Sequence, residues 1–388
     1  MIRPKIAVVC RTIGLEYDDR IRKECISLSK NADVKIFVTF ESNEEKEGIT
    51  SYGVPYKSFK LVSREKIKSG RLLLVKALEF YFKVKPHLKE FDLLWAHEEY
   101  TFLFSLLSAK NKFIWDLHEI PQLFDKPILR HVFQYIEKRS KYIIHANSFR
   151  IKYLMSRGLI KHFEKHKYIR NFPDSAFVES NLIPGFYREF NEWLNGKQYV
   201  YLQGISSPNR YPYNSLASIL QTTDLKIIVV GSFKDKDIKE RLSKELGAAF
   251  NERVFFTGMI NQLASPILVK NALFSMVFYR TTTPNQQFCE ANRFYQSLVF
   301  GVPVITGNNE PLNEIISKNH CGIALNTDGR IMKDINYAIN QMINNYHYYK
   351  KNAVSTKNKF IWNDDFANHL ISDNLLKQPN GNSKKIAR

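Results

Sequence analysis

Apolar and polar positions change register along this chain in a regular way. Short β-branched runs over residues 5–10, 34–40, 92–97 (DLLWAH), 112–116 (KFIWD) and 141–146 (KYIIHA) read as buried strands. A second set follows at 199–203, 225–230, 253–257, 273–279 and 302–305. Helical spacing fills the stretches between them. Ile21, Cys25 and Leu28 mark one apolar helix face, and Phe294 and Leu298 mark another over 291–300, ended by Gly301. Strands that alternate with helices predict mostly parallel sheets. Two such sets predict an α/β protein with two Rossmann-like domains.

The expected organisation is an N-terminal domain over 1–175, a connection over 176–196 holding Pro184, Gly185 and Gly196, and a C-terminal domain over 197–358. A last helix is expected over 359–376 and a basic disordered tail over 377–388. Residues 41–53 are polar and read as a loop. Residues 66–86 combine an apolar face with six Lys/Arg, which suits either an anionic membrane surface or packing on the chain's own sheet.

Composition adds limits. The chain has 388 residues, 44% of them hydrophobic, enough for two domains with substantial cores. Cys10, Cys25, Cys289 and Cys321 have no CxxC or metal spacing, so the expectation is four reduced cysteines and no metal. The start of the chain runs directly into a strand, without a signal-peptide pattern. No apolar run reaches membrane-spanning length. A cytoplasmic location is expected, with the inner membrane face as a peripheral site. The net charge is +19, and residues 1–175 hold 33 Lys/Arg against 21 Asp/Glu. Such a surface favours anionic partners. Nucleic acid is not expected, because no helix-turn-helix, zinc or RNP pattern accompanies the charge. No G-x-S-x-G, H-E-x-x-H or Walker loop is present, which leaves hydrolase and NTPase readings without support.

The stretch 288–314 (FCEANRFYQSLVFGVPVITGNNEPLNE) resembles the signature of GT-B-fold glycosyltransferases, in particular the retaining group 1 (family 4) members. Their Pro-Asn-Lys-x-x-Glu-x-x-x-x-Gly-x-Pro-Val-Ile pattern is met here by Asn292, Arg293, Gln296, Gly301, Pro303, Val304 and Ile305. The family's ribose-binding glutamate is Gln296. Upstream, Gly204 to Arg210 resembles the family's phosphate loop, with Arg210 at its second basic position and Ile205 at its first. Gly231 and Gly258 with Ile260 resemble its later glycine loops. Asp18 to Glu24 resembles the start of its first helix, and Asp116 to Glu119 its Asp-x-His-Glu segment.

The resemblance implies two Rossmann-like domains facing each other across a cleft, with the terminal helix returning to the first. It implies transfer of a sugar from a nucleotide-sugar, a substrate rather than a cofactor, to a hydroxyl of a lipid-linked acceptor. The setting would be bacterial surface polysaccharide or glycolipid synthesis, without metal and with retention. Donor-binding candidates are Gly14, Gly204, Arg210, Gly231, Gly258, Ile260, Asn292, Arg293 and Gln296. Catalytic candidates are His118 and Glu290. The alternative is a GT-B-like nucleotide-sugar binder or partner subunit without transferase activity, which the departures at Gln296 and Ile205 suggest.

Overall fold

The computed structural model describes residues 3–66, 72–107, 112–121, 124, 126–233 and 235–365. The chain forms two compact units. One comprises Met1–Ile169 with the residues from Asn363 onward, and the other Arg170–Trp362.

The first unit holds an eight-stranded sheet: β1 (Lys5–Thr12), β2 (Asp33–Phe40), β3 (Glu47–Ile49), β4 (Pro55–Ser58), β5 (Leu93–His97), β6 (Phe113–Leu117), β7 (Tyr142–His145) and β8 (His166–Tyr168). Their order is β3-β4-β2-β1-β5-β6-β7-β8, parallel except where β3 meets β4. The central strands are buried on both faces. Ile6 to Cys10, Trp95, Ala96 and Phe113 to Trp115 are at most 1% exposed. This double covering is why these strands read as unbroken apolar runs.

The second unit holds six parallel strands: β9 (Tyr199–Gln203), β10 (Lys226–Val230), β11 (Val254–Gly258), β12 (Phe274–Val277), β13 (Val304–Thr306) and β14 (Gly322–Ala324). Their order is β11-β10-β9-β12-β13-β14. One side of the sheet packs on Leu216, Ile219, Ile335 and Ile339, the other on Phe294, Leu298, Leu312 and Ile316.

In each unit the strand order reverses at one place, between β1 and β5 and between β9 and β12. Open α/β sheets take ligands at such switch points, outside the carboxyl ends of the strands.

Several expectations change. The segment 41–53 is not all loop: it contributes β3, which pairs with β4 at the sheet edge. The expected connection 176–196 lies inside the second unit, where it forms the helices Ser175–Val178 and Tyr187–Leu194. The basic amphipathic segment becomes the helix Leu73–Val84, and residues 67–71 lie outside the described residues. The last helix does not start at residue 359. The chain makes a 3-10 turn over Lys357–Lys359 and then runs without regular structure to Asn363. Residues 366–388, with most of the expected last helix and the tail, lie outside the described residues.

Candidate functional site

In the second unit the switch point is built by glycines and two arginines. β9 ends at Gln203, and Gly204 turns the chain at φ 59°. A Cβ on Gly204 would lie 2.9 Å from Arg210 Nη1 and 3.6 Å from Arg293 Nη1, so glycine is what admits both guanidinium groups. Arg210 Nη1 donates to the Gly204 carbonyl. Gly231 (φ 104°) and Gly258 (φ 67°) end the next two strands, and the Gly231 N–H donates to the Gly258 carbonyl at 3.0 Å. Three positive-φ glycines therefore stand side by side along the sheet edge.

Tyr279, just past β12, carries both cations on its ring. Arg210 Cζ is 5.3 Å and Arg293 Cζ 4.8 Å from the ring centroid. Arg293 is 7% exposed, and its Nε is buried without a hydrogen-bond partner. Neither arginine forms an ion pair with a carboxylate among the described residues. Burial pushes the Arg293 pKa below its ordinary value, and Arg210 pushes the same way against the opposing pull of Tyr279. Two adjacent guanidiniums without a carboxylate partner among the described residues make a place prepared for an anion.

The remaining candidates divide. Gln296 is 2% exposed, with Oε1 buried and unpartnered, on the helix Asn292–Leu298. Asn292 opens that helix and accepts from Asn171 Nδ2 at 2.8 Å. Ile260 packs, half-buried, against the apolar cluster of Phe190, Tyr199 and Val230. Ile205, at the place of a phosphate clamp, is 3% exposed in the core. Glu290 is committed elsewhere: Oε2 accepts from the Tyr295 hydroxyl at 2.7 Å, and Oε1 lies 3.6 Å from Arg170 Nε.

Sequence reasoning passed over Tyr279 and Tyr211. Tyr211 sits at φ 51°, a left-handed conformation that costs a non-glycine residue about 1 kcal/mol. Its hydroxyl donates to Asp328 Oδ2 at 2.6 Å, and the same oxygen accepts from the Thr281 N–H at 3.3 Å. This ties the loop after β9 to the loops after β12 and β14.

In the first unit the switch point gathers charge. Gly14 follows β1, with its N–H on Thr12 Oγ1 at 3.3 Å. His97 ends β5 and faces Asp116 of β6 in register. Asp116 is fully buried and takes Arg20 Nη2 on both oxygens, at 2.9 and 3.0 Å. Arg20 Nε also lies 2.9 Å from Glu24 Oε1. His118 follows β6. Its Nδ1 lies 3.0 Å from Glu98 Oε1, and its Nε2 lies 3.0 Å from His97 Nδ1.

His97, Asp116 and His118 are the group of possible metal ligands found among the described residues, with atoms within 4.8 Å of one another. Both Asp116 oxygens are engaged by Arg20 and the imidazoles bond each other, so the cluster reads as a proton network.

The charges follow from this packing. Burial raises the Asp116 pKa, but Arg20 outweighs it and holds the carboxyl well below its usual range. Burial, and then the charge of Asp116, push Glu24 well above its usual range. A raised carboxyl adds stability below the unfolded pKa, near 4.5. That contribution is lost as pH rises through the folded value. Glu24→Gln fixes the neutral form, so it is expected to match the native protein in melting temperature near pH 4 and to exceed it at pH 8. Equal melting temperatures at pH 8 would show that Glu24 is charged in the folded state.

No family model matches the sequence, and no curated protein matches it. Solved structures do. Sucrose-phosphate synthase from Thermosynechococcus elongatus superposes with a TM-score of 0.72 at 13% identity, over 95% of this chain and 97% of that one. HepE from Anabaena, in complex with UDP, gives 0.69 at 15% identity, over 96% and 100%. WaaG, a glycosyltransferase involved in lipopolysaccharide biosynthesis, gives 0.65 at 14% identity, over 95% and 99%. The fold is GT-B, with two parallel-sheet Rossmann-like domains.

Proposed function

We propose that this chain is a glycosyltransferase that moves a sugar from a nucleotide-sugar to an acceptor hydroxyl. The observation that carries this reading is the Arg210–Arg293 pair at Gly204. A nucleoside diphosphate leaving group needs positive charge and N–H donors as its own charge develops. The paired guanidiniums over Tyr279 offer that charge without a bound cation, and the donor would sit along Gly204, Gly231 and Gly258. The solved neighbours support the donor class: HepE has been solved with UDP-glucose, and an E. coli trehalose-6-phosphate protein with UDP-2-fluoro glucose.

In this reading the acceptor O–H breaks, its oxygen bonds the anomeric carbon, the bond from that carbon to the phosphate oxygen breaks toward the diphosphate, and the departing diphosphate oxygen takes the proton. Retention of configuration rests on the resemblance in the 288–314 stretch. Ile205 cannot clamp a phosphate from the core, and Arg293 takes that place. Gln296 keeps an oxygen for a ribose hydroxyl but brings no charge.

A lipid-linked acceptor for surface polysaccharide or glycolipid synthesis is the finer part of the proposal. The helix Leu73–Val84 favours it. Leu74 and Phe82 are more than half exposed there, with Lys83 and Lys85 beside them, as on a helix that rests against anionic lipid. Among the described residues no helix is long and apolar enough to cross a membrane.

The test is thermal stabilisation by UDP, GDP, CMP and their sugars, since a ligand bound only by the folded state raises its melting point. One nucleotide is expected to raise it, by about 2.7 kcal/mol of stability at a hundredfold excess over Kd, and Arg210→Ala is expected to abolish the effect. If no nucleotide raises the melting point of well-folded protein, the transfer reading fails.

A further inference from the structure

Glu98 has a backbone that its residue type does not choose. It lies at φ 68° and ψ 166°, a region that is almost entirely glycine's. The conformation is held from both sides. The Glu98 N–H donates to the Asp116 carbonyl at 2.8 Å. Its own carbonyl accepts from Trp115 Nε1 and from Thr101 Oγ1, both at 2.9 Å. Trp115 and Thr101 are fully buried. Glycine would take this turn without strain, so what a glutamate adds is its carboxylate, and the turn aims that carboxylate at His118.

We propose, as a deepening of the transfer reading above and resting on it, that Glu98 is a positioning residue for His118. Oε1 holds the ring with Nδ1–H donated to it and Nε2–H donated to His97. His118 then stands as a fixed cation and not as a base. The Glu98 side chain is 33% exposed, and Oε2 has no partner among the described residues, so it is the atom that accepts a substrate hydroxyl.

The surroundings agree. The charged and titratable groups facing His118 are His97 at the end of β5 and Glu98 just after it, Asp116 from β6, Arg20 and Glu24 from the helix Asp19–Ser29, and Arg150 from the helix Ser148–Ser156. Asp116 Oδ1 lies 3.8 Å from His118 Nε2, and Arg150 donates to the His118 carbonyl. Burial lowers the His118 pKa, but Glu98 and Asp116 outweigh it and raise it. Burial takes His97 down to about 3. The 3.0 Å contact between the rings requires that one of them donate and the other accept. His97 Nε2 is left buried and unpartnered, 3.7 Å from Glu24 Oε2.

The test is long-range proton–nitrogen NMR of full-length protein labelled in histidine, between pH 6 and 9, with Glu98→Gln and Glu98→Gly. The native protein is expected to show both His118 nitrogens protonated at pH 7. Glu98→Gln is expected to lower the His118 midpoint by about one pH unit or more, a tenfold loss of proton affinity. Glu98→Gly is expected to lower it as far while leaving the melting temperature equal or higher, because the strain is gone. A neutral His118 in the native protein, or an unchanged midpoint in Glu98→Gln, overturns the proposal. So does a Glu98→Gly protein that melts markedly lower, since the carboxylate would then be a structural tie. These readings come from the first unit and the nucleotide shift from the second, so failure of the transfer reading is seen separately.

Discussion

Replacing Arg293 by methionine is expected to raise the melting temperature of the nucleotide-free protein and to remove most of its response to nucleotide. The two effects have one cause. A guanidinium that is 7% exposed has left water without gaining a carboxylate, and its Nε bonds nothing. The structure holds it with a long bond to the Phe278 carbonyl, at 3.5 Å, and with the Tyr279 face. Burial of a charge on those terms opposes folding. Methionine has similar length and no charge, so the unbound protein gains. A bound diphosphate reverses the balance, because charge-assisted hydrogen bonds contribute about 1.5–3 kcal/mol each. Loss of one such partner corresponds to about a 10- to 100-fold loss of affinity. Calorimetric melting of Arg293→Met with and without the responding nucleotide checks both halves. A variant that melts several degrees lower and keeps its nucleotide shift would make Arg293 a structural cation.

The second large effect is expected in the other unit. Asp116→Asn removes the carboxylate that Arg20 holds on both oxygens, with both partners at most 4% exposed. Removal of one member of a buried pair typically destabilises by about 3–5 kcal/mol. The lower end is expected here, because Glu24 already lies 2.9 Å from Arg20 Nε and can ionise when Asp116 no longer does. The pH dependence has a definite sign. Asp116 has a depressed pKa, so its contribution is present above the unfolded value of about 3.9 and is lost as pH falls toward the folded value. Urea unfolding at pH 7 should therefore show a loss of about 3 kcal/mol, and the gap to the native protein should narrow between pH 4 and pH 2. A loss under about 1 kcal/mol at pH 7 would mean that solvent reaches the pair.

How far these features were legible depends on what specifies them. The central strands were, because burial on both faces leaves a run such as Lys226–Val230 with little but branched apolar residues. β3 was not, since a three-residue edge strand, Glu-Gly-Ile, carries no apolar alternation. Arg210, Gly204 and Arg293 could be picked out because each lies in a local pattern. Tyr279 could not, because its role comes from two arginines that reach it from separate loops. The Arg20–Asp116 pair spans 96 positions, and no local rule links them. Glu98 was hidden for another reason. Residue type does not announce a positive φ outside glycine and asparagine, so the strain exists only in the folded backbone.

The first unit is discontinuous in sequence, and this affects how the protein is made. Ser27 of the first helix finds Asp364 as a hydrogen-bond partner 337 positions later, and Lys30 pairs with the same carboxylate. Asp364 is held below its ordinary pKa: burial opposes this, but Lys30 and Ser27 outweigh it. At synthesis rates of about 5–20 residues per second, that partner leaves the ribosome on the order of 20–60 s after the helix. The second unit is one unbroken stretch and emerges complete in the interval. The half that starts first is therefore finished last, and its first helix must wait for Asp364 while a whole domain folds downstream.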